Sequence, residues 1–449
     1  MARVPLLERL GLHRPELRAW AMYDWANSVF MTTVLLIFPI YFADVASAGS
    51  PATVATTRYS MATTLSMALV AVLSPILGAI ADYKAMKKKM LAVSAVIGIV
   101  ATAGMYFIDQ GEWRLAIVLF MFANTGVSAS LVFYESLLPH IAREDEVDRV
   151  STAGYAMGYL GSSLLMLLNL AWIQKPALFG ISSPEMAIRL TFLSSALWWL
   201  VFTIPLLRRV PEPPLRLEAD ERPGLNPVAV GFRRLRETLH EIRGYKHTFL
   251  FLLAFFIYND GIGTIIRMAT IYGREIGIER ASLLIPLLLV QVVGIPFTFL
   301  FGALADRIGA KPAIFAALAV YLLIAILGYR MTTARDFFVL ALLVGTVQGG
   351  SQALSRSVFS TLVPRHKSSE FFAFFSVFEK FAGILGPAVF TIMISATGSS
   401  RSAILSIIAF FLTGGALLAF VDVKAGQRAA REAEERAGLR DAAASRSSA

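Results

Sequence analysis

About twelve apolar stretches of roughly 20 residues each constrain this chain more than anything else in it, because that is the length an α-helix needs to cross the hydrocarbon core of a bilayer. They fall near residues 20–43, 59–81, 90–108, 114–138, 150–173, 187–207, 247–271, 281–304, 313–329, 337–360, 371–395 and 402–421. Of the 449 residues, 56% are hydrophobic and only 16% are charged, with mean hydropathy +0.65, more apolar surface than a soluble chain of this length could bury. The expected fold class is therefore an all-α integral membrane protein with about twelve transmembrane helices.

A repeated turn divides these helices into two sets. Gly302-Ala303-Leu304-Ala305-Asp306-Arg307-Ile308-Gly309-Ala310-Lys311 has a weaker copy in Gly78-Ala79-Ile80-Ala81-Asp82, which runs on to Lys87-Lys88-Lys89. Each copy lies between two apolar stretches and reads as a tight hairpin turn with basic residues at the membrane face. A proline-rich interruption, Arg208 to Lys246, separates the halves. The expected units are an N-terminal segment 1–19, a six-helix bundle 20–207, a linker 208–246 carrying the basic amphipathic stretch Phe232 to Arg243, a second bundle 247–421 and a tail 422–449.

The formal charge of +10 does not imply a nucleic-acid partner, since the basic residues lie mainly between the apolar stretches and in the tails. With both ends cytoplasmic, the inside segments hold about 29 of the 41 Lys and Arg residues, which predicts that orientation. The chain has no cysteine, so thiol chemistry and Cys-based metal sites are excluded. Residues 1–18 lack the apolar core of a cleaved signal. There is no phosphate-binding loop of the G-x-x-x-x-G-K-[ST] type, and the 5 histidines show no metal spacing. No enzymatic activity, cofactor or metal is expected.

The two turns resemble those of the major facilitator superfamily, whose six-helix halves each carry a G-x-L-A-D-R-x-G-[RK]-like sequence after the second helix. The first copy departs from it: Tyr83 replaces the arginine, Ala85 replaces the second glycine, and the basic cluster is displaced to Lys87. Further motifs, Tyr23-Asp24-Trp25-Ala26-Asn27-Ser28, Asp148-Arg149-Val150-Ser151 with Gly158-Tyr159-Leu160-Gly161, Val347-Gln348-Gly349-Gly350-Ser351-Gln352-Ala353-Leu354-Ser355-Arg356-Ser357, and Lys380-Phe381 before Gly386-Pro387, are similar to the Atg22-like (UMF1) branch of that superfamily. The resemblance implies a secondary transporter with a small-molecule substrate in the lipid bilayer, amino-acid export in a fungal member, and a bacterial inner-membrane location for members such as this one. It also implies gating roles for Gly78, Asp82 and Lys87 in the first turn, for Gly302, Asp306, Arg307, Gly309 and Lys311 in the second, and for Glu135 as a latch to the loop basic cluster.

Charges inside the hydrocarbon layer are costly and mark pathways or structural ion pairs. They are Asp24, Glu135, Asp260, Arg267, Arg356, Glu379 and Lys380. Tyr23, Asp24 and Asn27 in the first span are echoed by Tyr258, Asn259 and Asp260 in the seventh, so Asp24 and Asp260 are candidates to carry protons or to bind a substrate ammonium group, with Asn27 and Asn259 as further substrate contacts. Local pairing at a gate is the alternative for Asp24, and snorkelling to the interface for Arg267. Gln348, Gln352 and Arg356 recur every four residues on one helix side, with Arg356 suited either to a substrate carboxylate or to pairing with Glu379 or Glu135. Glu379 is a third proton-coupling candidate, and Lys380 a further substrate contact or ion-pair partner. Gly154, Gly158, Gly161, Gly383 and Gly386 read as packing sites with no part in the chemistry, and Trp25 and Tyr155 as cavity-lining aromatics. The expected protein is a monomer moving a small polar solute, an amino acid or similar, with protons as coupling ion. Alternatives are an exporter of another metabolite or cationic compound, a lipid-handling protein, or a membrane sensor on the same fold.

Overall fold

The computed structural model describes residues 6–50, 52–215, 245–275, 280–381 and 400–447, with isolated positions between these ranges. Backbone polar groups in lipid must be satisfied within the segment or by a closed barrel, and the chain uses helices throughout, with no strand among the described residues. Among the described residues ten helices are long and apolar enough to cross a membrane, and the pair Ile404–Ala419 and Val423–Arg436, bent by 58°, passes the same test together. We number the main helices α1 (Pro15–Ala46), α2 (Ala52–Lys84), α3 (Lys87–Gly104), α4 (Trp113–Ile141), α5 (Val147–Gln174), α6 (Pro184–Arg209), α7 (Lys246–Glu275), α8 (Arg280–Ile308), α9 (Ala310–Tyr329), α10 (Ala334–Leu362), α11 (Ser368–Phe381), α12 (Ser400–Ala419) and α13 (Val423–Ser447); the ten spans are α1 to α10 and the bent pair is α12 with α13. The expected eleventh span, 371–395, lies largely outside the described residues beyond Phe381, as does most of the basic amphipathic stretch of the linker.

Observed helices overrun the apolar stretches at their polar ends. The first begins at Pro15 rather than near residue 20, because proline at the first turn lacks an N–H that would be unpaired there anyway. The same helix widens into π-helical turns at Phe30–Val34 and Phe42–Ala46, on either side of Pro39.

Two separate apolar cores organise the packing. One draws on residues from Leu17 to Val210 and is built around Trp20, Phe38, Phe120 and Trp199; the other runs from Phe251 to Val421 around Phe255, Tyr321, Phe359 and Phe375. Residues such as Val72, Val100, Phe122, Leu300 and Leu412 are more than half exposed on the outside, as lipid-facing side chains are. The halves meet where α5 packs on α8 and α10, and where α2 and α4 pack on α11. A shift of six helices exchanges the α5–α8 contact with the α11–α2 contact, so the seam has the two-fold character that the repeated turn predicts.

Both tails lie on one face. Arg149 donates to the carbonyl of Glu8, while Arg431 of α13 forms a bidentate pair with Glu144 in the α4–α5 turn. The tail is a helix over Val423–Ser447, and it bridges the halves, since Glu434 also accepts the backbone N–H of Arg365 at 2.7 Å. At the start of the linker, Glu212 accepts the N–H of Lys88 at 3.0 Å and so caps α3. Burial pushes its carboxyl above the usual range, against the pull of the Lys88 and Lys87 amides.

Seven residues after the first glycine of each repeated turn, the chain adopts a left-handed conformation: φ is 89° at Gly309 and 49° at Ala85. The backbone there keeps the geometry that glycine favours although the side chain has changed, which costs an L-residue about 1–2 kcal/mol, partly offset by the lower unfolded-state entropy of alanine. Ala85→Gly is therefore expected to raise the apparent melting temperature of the detergent-solubilised protein, by about 0.5–1 kcal/mol of stability. A lower melting temperature would show that the Ala85 side chain has a packing role that outweighs the strain.

Candidate functional site

Two of the sequence-predicted charges, Asp24 and Arg356, come together at the seam. Asp24, on the third turn of α1, is 7% exposed, and Arg356, near the end of α10, is 1% exposed. They belong to opposite halves and pair directly, Arg356 Nη1 to Asp24 Oδ2 at 3.1 Å. Two further guanidinium donors go to one residue of α5: Nε to the Ser151 hydroxyl at 3.0 Å and Nη2 to the Ser151 carbonyl at 2.8 Å. Ser151 in turn donates its hydroxyl to the carbonyl of Ala353 on α10 at 2.7 Å, so the connection runs both ways across the seam.

Aromatic faces enclose the charge. The guanidinium carbon lies 4.4 Å from the Tyr155 ring centroid, 4.8 Å from Trp20 and 5.7 Å from Tyr134. Trp20 and Tyr134 stack at 4.5 Å, Trp20 Nε1 donates to the Tyr134 carbonyl at 3.0 Å, and the Tyr134 hydroxyl donates to Asp24 Oδ2 at 2.8 Å. Glu135, 4% exposed, adds a second negative charge within electrostatic reach of Arg356. Arg356 was expected to meet a substrate or one of Glu379 and Glu135; its hydrogen-bonded acid is Asp24, on a helix the spacing gave no reason to choose.

Gly154 makes this possible. A Cβ there would lie 2.5 Å from Asp24 Oδ2 and 2.9 Å from Arg356 Nη2, so the expectation that Gly154 serves helix packing alone is corrected: it opens the space in which the ion pair forms. Gly158 and Gly161 do serve packing, since a Cβ would meet Ser28 Oγ at 2.6 Å and the Trp25 ring at 2.7 Å. Trp25 stacks on Trp198 within the first half, whereas Tyr155 faces the charge.

A second layer of contacts lies closer to the face. Asp82 accepts the backbone N–H groups of Ser369 and Glu370 at 2.9 and 3.2 Å, capping the start of α11 across the seam. Lys87 pairs with Asp82 and donates to Ser368 Oγ at 2.6 Å and Ser369 Oγ at 3.1 Å, with both side chains almost fully buried. Gly78 permits the approach, for a Cβ would stand 2.6 Å from the Ser369 carbonyl oxygen. The turn that departs further from the superfamily pattern is thus the tighter one. In the second turn Gly302 contacts Thr152, where a Cβ would meet Oγ1 at 2.4 Å, but Asp306 is exposed and reaches Arg149 only at 3.4 Å. Arg307 is exposed, Gly309 holds the turn, and Lys311 donates to the carbonyls of Ala419 and Val421 within its own half.

Other candidates stand apart from the pair. Asp260 is fully buried inside the second half, where its Oδ2 accepts the N–H of Gly386 at 2.7 Å. Asn27 donates to the Tyr23 carbonyl at 2.8 Å, and Asn259 is 7% exposed on α7. Gln348, Gln352 and Glu379 are half-buried at membrane depth. The side chains of Arg267 and Lys380 lie outside the described residues. Trp20 and Ser151 were not singled out from the sequence as site residues. Ser151 stood in a quoted motif, but nothing in its spacing pointed to a residue 205 positions away.

Gly154→Ala is expected to keep the two cores and lose the pair: the variant should remain monodisperse in detergent while transport falls by about ten-fold or more, since a methyl group cannot occupy the space between the two charges. Unchanged transport would contradict the role given to Gly154.

Comparison with known proteins places this geometry in a family. The model for the family described as "Vacuole effluxer Atg22 like" matches residues 13–431. An uncharacterised MFS-type transporter of Bacillus subtilis (strain 168), YxiO, is 38% identical over 406 residues, covering 90% of this chain and 94% of the relative. Autophagy-related protein 22 of Yarrowia lipolytica is 28% identical over 312 residues, 64% of this chain and about half (52%) of that longer protein. Among solved structures, the proton:xylose symporter XylE superposes with TM-score 0.66 at 14% identity, covering 93% of this chain and 96% of the other, and FucP in its outward conformation gives 0.66 at 14% identity over 91% and 100%. At that identity the likeness concerns the fold alone. The chain belongs to the Atg22-like family of major facilitator superfamily transporters and is a multi-pass integral membrane protein.

Proposed function

We propose that this transporter is proton-coupled and moves a small zwitterionic solute, an amino acid or similar, by alternating access, with the Asp24–Arg356 pair as the switch between the halves. The observation that carries this reading is that a fully buried guanidinium on one half has its acidic partner on the other. Breaking a buried pair by removing one partner costs about 3–5 kcal/mol, so the halves part at this face only when something replaces the lost interaction. A zwitterion offers both replacements at once, an ammonium for Asp24 and a carboxylate for Arg356. Protonation of Asp24 is the other route, since it removes the charge that opposes Arg356 while the Tyr134 hydrogen bond keeps the side chain in place.

In this reading the tail-bearing face is cytoplasmic, the side that the distribution of Lys and Arg favours, and the closed seam there makes the conformation outward-facing. The half-buried amides Gln348 and Gln352, on the α10 turns that continue away from Arg356, line the solute path together with Glu379. Asp260, enclosed in the second half, serves as a joint between α7 and the chain at Gly386, and Asp24 is the proton carrier. The protein works as a monomer in a bacterial inner membrane, and export follows the direction of the fungal family name.

Reconstituted vesicles test the coupling. With radiolabelled amino acids supplied one at a time, the wild type is expected to show accumulation that follows an imposed pH gradient. Asp24→Asn should lose gradient-driven accumulation, while Asp260→Asn should keep the gradient response if it folds. Accumulation that follows the gradient in Asp24→Asn would remove the proton from Asp24, and absence of any amino-acid uptake by the wild type would remove the substrate class.

A further inference from the structure

All of the groups recognising the Arg356 guanidinium belong to the other half. Its hydrogen bonds end on Asp24 and Ser151, and its three aromatic neighbours are Trp20, Tyr134 and Tyr155, on α1, α4 and α5. The bonds that shape the cage are internal to that half: Trp20 is held to Tyr134 by stacking and by its indole N–H, Tyr134 is held to Asp24 by its hydroxyl, and Tyr23 packs on Tyr134 at 4.9 Å. When the halves part at this face Arg356 leaves with α10, and what stays behind is a formed pocket with aromatic walls, a carboxylate, a free serine hydroxyl and carbonyl, and Glu135 nearby. Such a pocket is cation-demanding, and Gly154 leaves its floor open.

We propose that this vacated cage on the first half is the cation-binding site of the inward-facing transporter, that it takes a guanidinium or alkylammonium group presented from the tail-bearing side, and that Arg356 is a built-in surrogate occupying it when that side is closed. Loading a substrate cation and closing the face are then mutually exclusive at this site until the occupant moves on or is displaced. The chemistry favours planar guanidinium groups, which match the two hydrogen-bonding directions to Ser151 and Asp24 and stack on Tyr155 and Trp20. The proposal rests on the transporter reading above only for the parting of the halves.

Removing the surrogate tests it at equilibrium. Arg356→Ala protein in detergent is titrated calorimetrically with methylguanidinium chloride, with urea as the uncharged analogue of the same shape and sodium chloride as the ionic control. The expected result is binding of methylguanidinium tighter than to wild type by about ten-fold or more, no binding of urea, and loss of binding when Asp24→Asn is added. Equal affinity in wild type and variant, or equal binding of urea, would overturn the proposal. If Arg356→Ala is not monodisperse, Arg356→Met keeps the volume without the charge and carries the same titration. Recovery of monodispersity by methylguanidinium and not by urea then counts for the cage, and recovery by neither counts against it. A protein that accumulates no amino acid in vesicles yet binds methylguanidinium in the variant keeps the cage and drops the amino-acid assignment; the reverse keeps the transport reading and drops the cage.

Discussion

A buried charge with its partner on a different rigid body governs this structure. Taking a guanidinium and a carboxylate out of water costs several kcal/mol for each ion, and their mutual attraction repays that only if the remaining donors and acceptors are also satisfied. Three guanidinium N–H groups find acceptors, one on Asp24 and two on Ser151, Tyr134 donates to Asp24, and the aromatic faces of Trp20, Tyr134 and Tyr155 surround the cation. Every one of these contacts to the guanidinium crosses the seam. The interaction therefore depends on the relative position of the two bundles.

Around this pair the seam is layered. Nearer the surface, Asp82 caps α11 and Lys87 fills the space between that carboxylate and Ser368 and Ser369; outermost, α13 ties Glu144 of one half to the Arg365 region of the other. These layers differ in strength for physical reasons. Asp82 and Lys87 are almost wholly buried and mutually satisfied, whereas the Arg431–Glu144 pair is half exposed, and pairs of that kind contribute about 0–1 kcal/mol. The pseudo-symmetric contact at Asp306 is looser still. Of the two repeated turns, the altered one therefore makes the stronger contact across the seam: Ala85 accepts a left-handed backbone and Lys87 supplies the charge.

Much of the fold was legible because its determinants are local. Apolar length sets helix number, and the two glycine-acid turns set the halves; both survive reading one segment at a time. The site was legible only in part. Asp24 and Arg356 stood out as charges inside apolar stretches, and the four-residue spacing of Gln348, Gln352 and Arg356 correctly put them on one helix. Their pairing could not be read, because the partners are 332 residues apart and the contact depends on how the two bundles dock. Gly154 looked like any small residue in a helix of small residues, and its role appears only when the distance from its Cβ position to two charged side chains is known. Asp260 looked equivalent to Asp24 by the repeat, yet the seventh helix turns its acid into its own half, toward Gly386.

The central claim is that the Asp24–Arg356 pair holds the tail-bearing face closed. The chain has no cysteine, so two can be introduced for spin labels without a background, one at Asp145 on the α4–α5 turn and one at Arg307 in the last turn of α8, both exposed and on opposite halves. Their distance distribution, measured by pulsed electron resonance in lipid nanodiscs, is expected to be a single short population in the wild-type background and to gain a longer one when Arg356 is replaced by Gln. A distribution that does not change on loss of the Arg356 charge, in a protein that remains folded, would contradict the claim and leave the outer layers as the elements that close the face.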